Sequence, residues 1–381
     1  MLKTMQRIVG GVLLIFIAAC SSDDSKETKN NPDDSDNTET AWLVRENLSD
    51  NDFKPADIEA AVNDLVDALN AHDQDSTMKL GVIPKDLTGY FVTAVAGAND
   101  AFTELGVIKS VVAPSADMDA EKQRDQQIEY IEGQVDDGFT GIGLASMAVG
   151  VVPAIDAAVD AGLTVVTFDS DEPTSKRQLY VGTINAEAGK TAGHTMADLI
   201  DAGEGTVVIL GNTDPDWKDG YDRTNEAGAV LEAAGYTVVI QHTNWEDQDE
   251  NEAALQDIME NGDSAVVGCL GVFSNAYLCA TAAEKAGIVD DIKVAAFDFE
   301  PQTLELMQDG KIDVTHVQRQ YYMGYVIPYL LYAVNTLGLE KTKDIISDIM
   351  VDDERIDTGL DIIPADGIED YNAFLEMLGV S

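Results

Sequence analysis

The stretch Ala161-Gly-Leu-Thr-Val-Val-Thr-Phe-Asp169 has an echo later in the chain, Ala286-Gly-Ile-Val-Asp-Asp-Ile-Lys-Val-Ala-Ala-Phe-Asp298, and the pair decides how the chain is read. In each, a helix stops at Ala-Gly, glycine being the residue best suited to the turn after a helix. A short apolar run then forms a buried strand, and Phe-Asp closes it. Ligands of open parallel sheets sit beyond the carboxyl ends of the strands, so each copy sets one carboxylate at a binding edge. Two such edges facing each other make a cleft. A single aspartate in this position is better read as a cap on the next helix. The repetition favours a site.

Working outward, apolar strands alternate with amphipathic helices from Met78 onward, the pattern of parallel sheets with helices on both faces. The first half reads as strands over 80–83, 107–113, 141–145 and 163–168, with helices over 90–105, 121–135 and 151–161. The second half repeats the theme with strands over 206–210, 237–241, 265–270 and 293–297. The expected fold class is α/β, with two doubly wound parallel-sheet lobes. At 381 residues with 45% hydrophobic content, the chain is long enough and apolar enough for two ordinary cores.

Upstream, residues 1–20 read as an export signal, with Lys3 and Arg7 ahead of an apolar run too short to settle as a membrane span. Ile17-Ala18-Ala19-Cys20 resembles a lipobox, which makes Cys20 a candidate for lipidation. An ordinary cleaved signal with an incidental cysteine is the alternative. Residues 21–40 are almost wholly Ser, Asp, Asn, Glu, Thr and Lys and are expected to form a disordered acidic tether. Residues 41–76 carry a helical pattern (Ile58, Ala61, Leu65, Ala68, Leu69) expected to pack outside the main body, with a role the sequence does not disclose. The remaining cysteines, Cys269 and Cys279, permit a disulfide or two buried thiols, and their spacing matches neither a zinc pattern nor a redox pair.

The order of short motifs then brings a family into view. Val82-Ile83-Pro84-Lys85 precedes Tyr90-Phe91. Phe168-Asp169-Ser170-Asp171 is followed by Ser175-Lys176-Arg177 and Tyr180-Val181-Gly182-Thr183. Beyond these come Arg223, the segment 271–275, Phe297-Asp298, and Gln318 ahead of Met323-Gly324-Tyr325. From Lys79 to about Tyr371 the chain resembles the type I periplasmic sugar-binding proteins, the group that includes ribose-binding protein. The resemblance implies two lobes joined by a three-strand hinge, with the chain crossing near residues 183, 318 and 347. Lobe one is then 77–183 plus 319–347, and lobe two 184–318 plus 348–381. It also implies hinge closure on a ligand that is handed to an ABC import permease.

A sugar presents vicinal hydroxyls at its edge and a weakly apolar C–H face, so a tight site needs paired acceptors and donors plus flat aromatic walls. The residues carried over supply both. Asp169 and Asp298 accept from hydroxyls. Arg223 donates in a fork and offsets their charge. Asn275 and Gln318 add amides, and Tyr90 and Phe91 offer ring faces at the first turn of a helix. Lys85 reaches a ligand oxygen or an aspartate, or is a solvated loop lysine. Trp217 and Trp245 follow lobe-two strands in loops, where each is a binding wall or packs on a helix, with Trp245 favoured. Phe273 is a stacking partner or a core plug. Asp171 and Asp247 read as solvated or capping, with ligand contact as the lesser alternative. Ser170 stands where ribose-binding protein has an arginine, so ribose itself is not implied.

The remaining readings are exclusions. The formal charge of −47 opposes contact with nucleic acid, and no basic helix-turn-helix segment is present. The chain lacks a GxSxG elbow, a Walker A loop, a GxGxxG after a strand and an HExxH helix, and His72, His194, His242 and His316 are scattered. No enzyme, cofactor or metal is expected. The expected partners are a sugar or polyol, above all a monosaccharide, an ABC permease, and a membrane through the lipid anchor. The protein itself is expected to be monomeric, in the periplasm or at the cell surface. A receptor that senses the ligand for a kinase or chemoreceptor is the alternative role.

Overall fold

A computed structural model describes residues 41–45, 51–147, 149–200, 203–215, 217–262 and 264–380. The export signal, Cys20 and the tether lie outside the described residues.

β-branched-rich segments form two six-stranded sheets, buried along their inner strands and more exposed at the edge strands. The first contains β1 (Lys79–Ile83), β2 (Ile108–Val111), β3 (Gly141–Leu144), β4 (Thr164–Phe168) and β5 (Leu179–Gly182). The second contains β6 (Thr206–Gly211), β7 (Thr237–His242), β8 (Val266–Gly271), β9 (Lys293–Phe297) and β10 (Val314–Gln318). Two late strands, β11 (Arg355–Asp357) and β12 (Leu360–Pro364), complete them. The orders are β11-β5-β4-β3-β1-β2 and β12-β10-β9-β8-β6-β7, so the five principal strands follow the same winding in both sheets. All pairings are parallel except that of β12 with β10. β4 and β9 therefore hold the same rank, and with them Asp169 and Asp298.

The chain passes from one sheet to the other at Thr183–Ile184, at Arg319 and at Thr358–Gly359. The third passage corrects the boundary expected near residue 347. Ile349 and Ile356 are buried in the first core, Met350 bridges to Ile356, and β11 pairs with β5, so 348–357 belongs with the first sheet. A three-residue edge strand with one buried isoleucine is too short to stand out by periodicity.

Helices cover both faces of the sheets. α1 (Ala56–Leu69) belongs to the N-terminal extension, α2 (Tyr90–Leu105) follows β1, and α3 (Ala120–Asp136) and α4 (Val152–Asp160) precede β3 and β4. In the second half, α5 (Asn185–Leu199), α6 (Lys218–Ala233), α7 (Gln248–Asn261), α8 (Tyr277–Ala286) and α9 (Pro301–Gln308) alternate with the strands. α10 (Gln320–Leu337) returns to the first core, α11 (Leu339–Ile345) follows, and α12 (Ile368–Met377) ends the described chain. α10 crosses α2 so closely that a Cβ on Gly324 would lie 1.7 Å from the carbonyl oxygen of Ala94. Only glycine fits there.

The extension is part of the first core. Leu43, Ile58, Leu65 and Leu69 are buried with the α10 residues, and Trp42 lies 5.6 Å from the ring of Tyr332. Arg45 pairs with Glu59 at 2.9 Å and donates to the Tyr325 hydroxyl at 2.8 Å. Phe53 meets Tyr371 of α12 edge-on at 5.0 Å.

Candidate functional site

Asp169 and Asp298 have φ of 59° and 64°, and they are the two non-glycine residues with positive φ among the described residues. Aspartate tolerates the left-handed region better than most residues, yet such a backbone typically costs about 1–3 kcal/mol and persists only where surroundings enforce it. The same enforcement acts on both. The amide of Asp169 donates to Val181 of β5 at 3.1 Å, and that of Asp298 to His316 of β10 at 2.8 Å. Each turn directs its carboxylate off the strand and into one cavity of about 250 Å³.

At the first edge, Lys85 follows β1 and places Nζ 3.5 Å from Oδ2 of Asp169. The Lys85 ammonium also donates to the Ser170 hydroxyl, which donates to the same carboxylate at 2.9 Å. At the second edge, Asp298 is almost fully buried and accepts from Nε2 of Gln318 at 3.4 Å. Burial pushes its carboxyl up to about 6, with the Arg223 charge and the Gln318 amide pulling the other way. The Tyr90 hydroxyl is held well above its usual range by burial and by the Asp169 and Asp298 charges.

Arg223 is carried on α6, which approaches α5 closely because a Cβ on Gly189 would sit 2.3 Å from the Arg223 carbonyl. Its guanidinium lies 4.7 Å from the Phe297 ring centroid and 5.8 Å from that of Phe273. Nε donates to Oδ1 of Asn185 at 2.9 Å and Nη1 to the carbonyl of Val272 at 2.9 Å, so protein acceptors fix the fork while it lines the cavity.

Aromatic rings close the remaining sides. Tyr90 and Phe91 stand edge-to-face at 5.1 Å, and Phe91 abuts Phe168. Opposite them, Trp217 stacks on Phe273 at 4.9 Å with an interplanar angle of 16°, and Trp245 packs 5.5 Å from Phe273. The two tryptophans remain 41% and 48% exposed, which puts indole surface at the mouth of the cavity.

The cavity lining thus gathers Lys85, Tyr90, Phe91, Asp169, Arg223, Trp245, Phe273, Asp298 and Gln318 from the sequence reading. Asn275 is not among them. It is buried behind the wall, donating to Gln248 at 3.0 Å, and its Oδ1 has no partner among the described residues. Trp217 lines the cavity together with the favoured Trp245, and Ser170, Asn185, Gly220 and Ser274 were missed as lining residues. Asn185 directly follows the first passage between sheets, a position that could have flagged it. Asp247 caps α7, and Asp171 is paired with Arg177 at 2.6 Å. Cys269 and Cys279 are free, buried thiols. Among the described residues no three metal-ligating side chains converge, and no helix is long and apolar enough to cross a membrane.

The sequence model of the periplasmic binding protein domain matches residues 80–338, more than half of the chain. The chain belongs to the periplasmic binding protein family. Its two like-wound sheets are the type I form of that family. An ABC transporter solute-binding protein from Burkholderia graminis, solved with D-arabinose, is similar at 26% identity and a TM-score of 0.63, over 78% of this chain and 98% of that one. An arabinose-binding protein from Geobacillus stearothermophilus has the same fold at 24% identity and a TM-score of 0.65, over 77% and 98%. A sugar-binding protein of a Bacillus halodurans sugar ABC transporter matches at 23% and 0.65, over 77% and 99%. The extension that packs on α10 lies wholly ahead of the stretch matched by the family model.

Proposed function

We propose that this binding protein captures a monosaccharide between the edges of its two sheets and delivers it to an ABC import permease. The observation that carries the reading is the meeting of two like-placed, left-handed aspartates across one aromatic-walled cavity. The two carboxylates supply acceptors for hydroxyls, and Lys85, Arg223 and Gln318 supply donors. Tyr90 and Phe91 on one side and Phe273 with the tryptophans on the other offer ring faces to C–H groups. The cavity lies just below the range of about 300–1,000 Å³ usual for drug-sized ligands, a size that suits a single sugar ring.

The charged, amide and aromatic groups of the cavity suit it to hold a polyhydroxylated ligand by hydrogen bonds and ring contacts. Ligand joins groups from both sheets, so it favours the closed arrangement by the contacts made only there. The three passages at Thr183–Ile184, Arg319 and Thr358–Gly359 form the hinge between a first lobe and a second. Cys20 serves as the lipid attachment point that holds the monomer at the membrane beside its permease.

Calorimetric titration with D-arabinose, D-allose, D-glucose and D-galactose tests the reading. At least one is expected to bind, with affinity weakened but still measurable in both Asp169→Ala and Asp298→Ala. Unchanged affinity in these two variants of a folded protein would remove the carboxylates from the site and end this reading.

A further inference from the structure

The two strained aspartates are held by more than their amides. The hydroxyl of Thr315, on β10, donates to the carbonyl of Asp298 at 2.7 Å. The hydroxyl of Tyr180, on β5, donates to the carbonyl of Asp169 at 3.0 Å and lies 3.3 Å from the carbonyl of Thr183. β5 and β10 have the same rank in their sheets, and in each case the clamping residue precedes by one the residue whose carbonyl accepts the aspartate amide. Tyrosine and threonine differ in size and chemistry but share a hydroxyl. Both are buried and neither lines the cavity.

We infer that Tyr180 and Thr315 are positioning residues, whose hydroxyls fix the carbonyls of Asp169 and Asp298 and thereby aim the two carboxylates at the ligand. The inference rests on the binding role proposed above for those carboxylates. Its physical basis is that a left-handed backbone at a non-glycine residue persists only where the surrounding structure over-determines it. The amide of each aspartate is pinned by the neighbouring strand, and the carbonyl by the hydroxyl. Loss of either restraint lets the carboxylate swing away from the position that meets a sugar hydroxyl. The contact of the Tyr180 hydroxyl with Thr183 adds a second consequence, because Thr183 stands at the first passage between sheets. The aim of Asp169 and the setting of that passage share one proton donor.

The test uses whichever of D-arabinose, D-allose, D-glucose or D-galactose binds the unaltered protein. Thr315→Val keeps shape and removes the hydroxyl, and it is expected to raise Kd about tenfold, the effect of losing one buried hydrogen bond that restrains a binding group. Thr315→Ser restores the hydroxyl and is expected to return Kd to within about threefold of the starting value. Tyr180→Phe is expected to weaken binding by a similar factor and serves as the second arm should Thr315→Val fail to fold. A double-mutant cycle separates aiming from general support. In an Asp298→Ala background no carboxylate remains to be aimed, so Thr315→Val is expected to add little further loss. Equal loss with and without the Asp298 carboxylate, or unchanged Kd in Thr315→Val and Tyr180→Phe, overturns the inference. If instead the aspartate variants themselves bind as well as the parent, it is the proposed site that fails.

Discussion

The guanidinium of Arg319 grips one carboxylate oxygen of Asp361, through Nη2 at 2.7 Å and Nε at 2.8 Å. Arg319 is the second passage between sheets, and its Nη1 also donates to the carbonyl of Thr358 in the third. Thr183 of the first passage reaches the carbonyl of Gly359, and Ile184 donates to Asp357. The three passages between the sheets are thus tied by side chains as well as by backbone.

Arg319→Met should therefore destabilise the protein. It strands the buried Asp361 carboxylate, whose other oxygen already lacks a partner among the described residues. Breaking one side of a buried pair costs about 3–5 kcal/mol, and the 20% exposure of the Arg319 side chain puts this case near the lower end. Urea denaturation reads the loss, and small-angle scattering of the unliganded variant should show a wider distribution of shapes. Parental stability would show that the pair is not what joins the passages.

Ligand binding should depend on pH through Asp298. Its carboxyl is raised from 3.8 to about 6, so the folded protein holds this proton more tightly than the unfolded chain does. Its effect on unliganded stability is therefore most favourable below about pH 4, and is lost as pH rises through about 6. Ligand hydroxyls bond best to the ionised carboxylate, so affinity runs the opposite way. Kd should rise about tenfold between roughly pH 7 and pH 5. Calorimetry across that range is expected to show the rise in the parent and a flat profile in Asp298→Asn.

The tryptophan pair should contribute affinity without supporting the core. Trp217 stacks on Phe273 yet is 41% exposed, so truncation removes ring surface at the cavity mouth and little buried packing. Trp217→Ala is expected to weaken sugar binding about tenfold, while Tm stays within a few degrees of the parent. Ligand should also shift the tryptophan emission of the parent more than that of the variant.

Two glycines give opposite outcomes. Gly324→Ala drives a Cβ to 1.7 Å from a backbone oxygen of α2, forcing α10 and α2 apart, and should cost more than about 3 kcal/mol. Gly133→Ala, within α3, meets nothing within 4 Å and should stabilise by about 0.5–1 kcal/mol through helix propensity. Thermal denaturation of the two variants checks both signs.

Much of this arrangement was legible in the chain because strong local signals carried it. The strands 163–168 and 293–297 are apolar, bounded by Ala-Gly and Phe-Asp, and those cues placed both carboxylates at sheet edges before any contact was known. Lys85 after β1 and Phe273 after β8 could be nominated from their place beside strand ends, whereas Tyr90, Phe91, Arg223 and Gln318 came from the resemblance to the family. The four strands β5, β10, β11 and β12 were not drawn from periodicity. β11 has only three residues, one of them a buried isoleucine, and β10 carries polar residues, His316 and Gln318, that are buried only because of where the sheet puts them.

The sequence by itself determined the alternation of strands and helices, the twofold echo, and the placing of Asp169 and Asp298 at equivalent strand ends, since these follow from local pattern and turn chemistry. Tertiary structure decided that Asn275 turns into the wall while Trp217 and Asn185 face the cavity, because the direction of a side chain depends on neighbours far away in the chain. It also decided the third passage at Thr358–Gly359, where one buried isoleucine pairs β11 with β5 across more than 170 residues of sequence. The left-handed turn at each aspartate is likewise a tertiary product, enforced where a neighbouring strand accepts the aspartate's amide and donates a hydroxyl to its carbonyl.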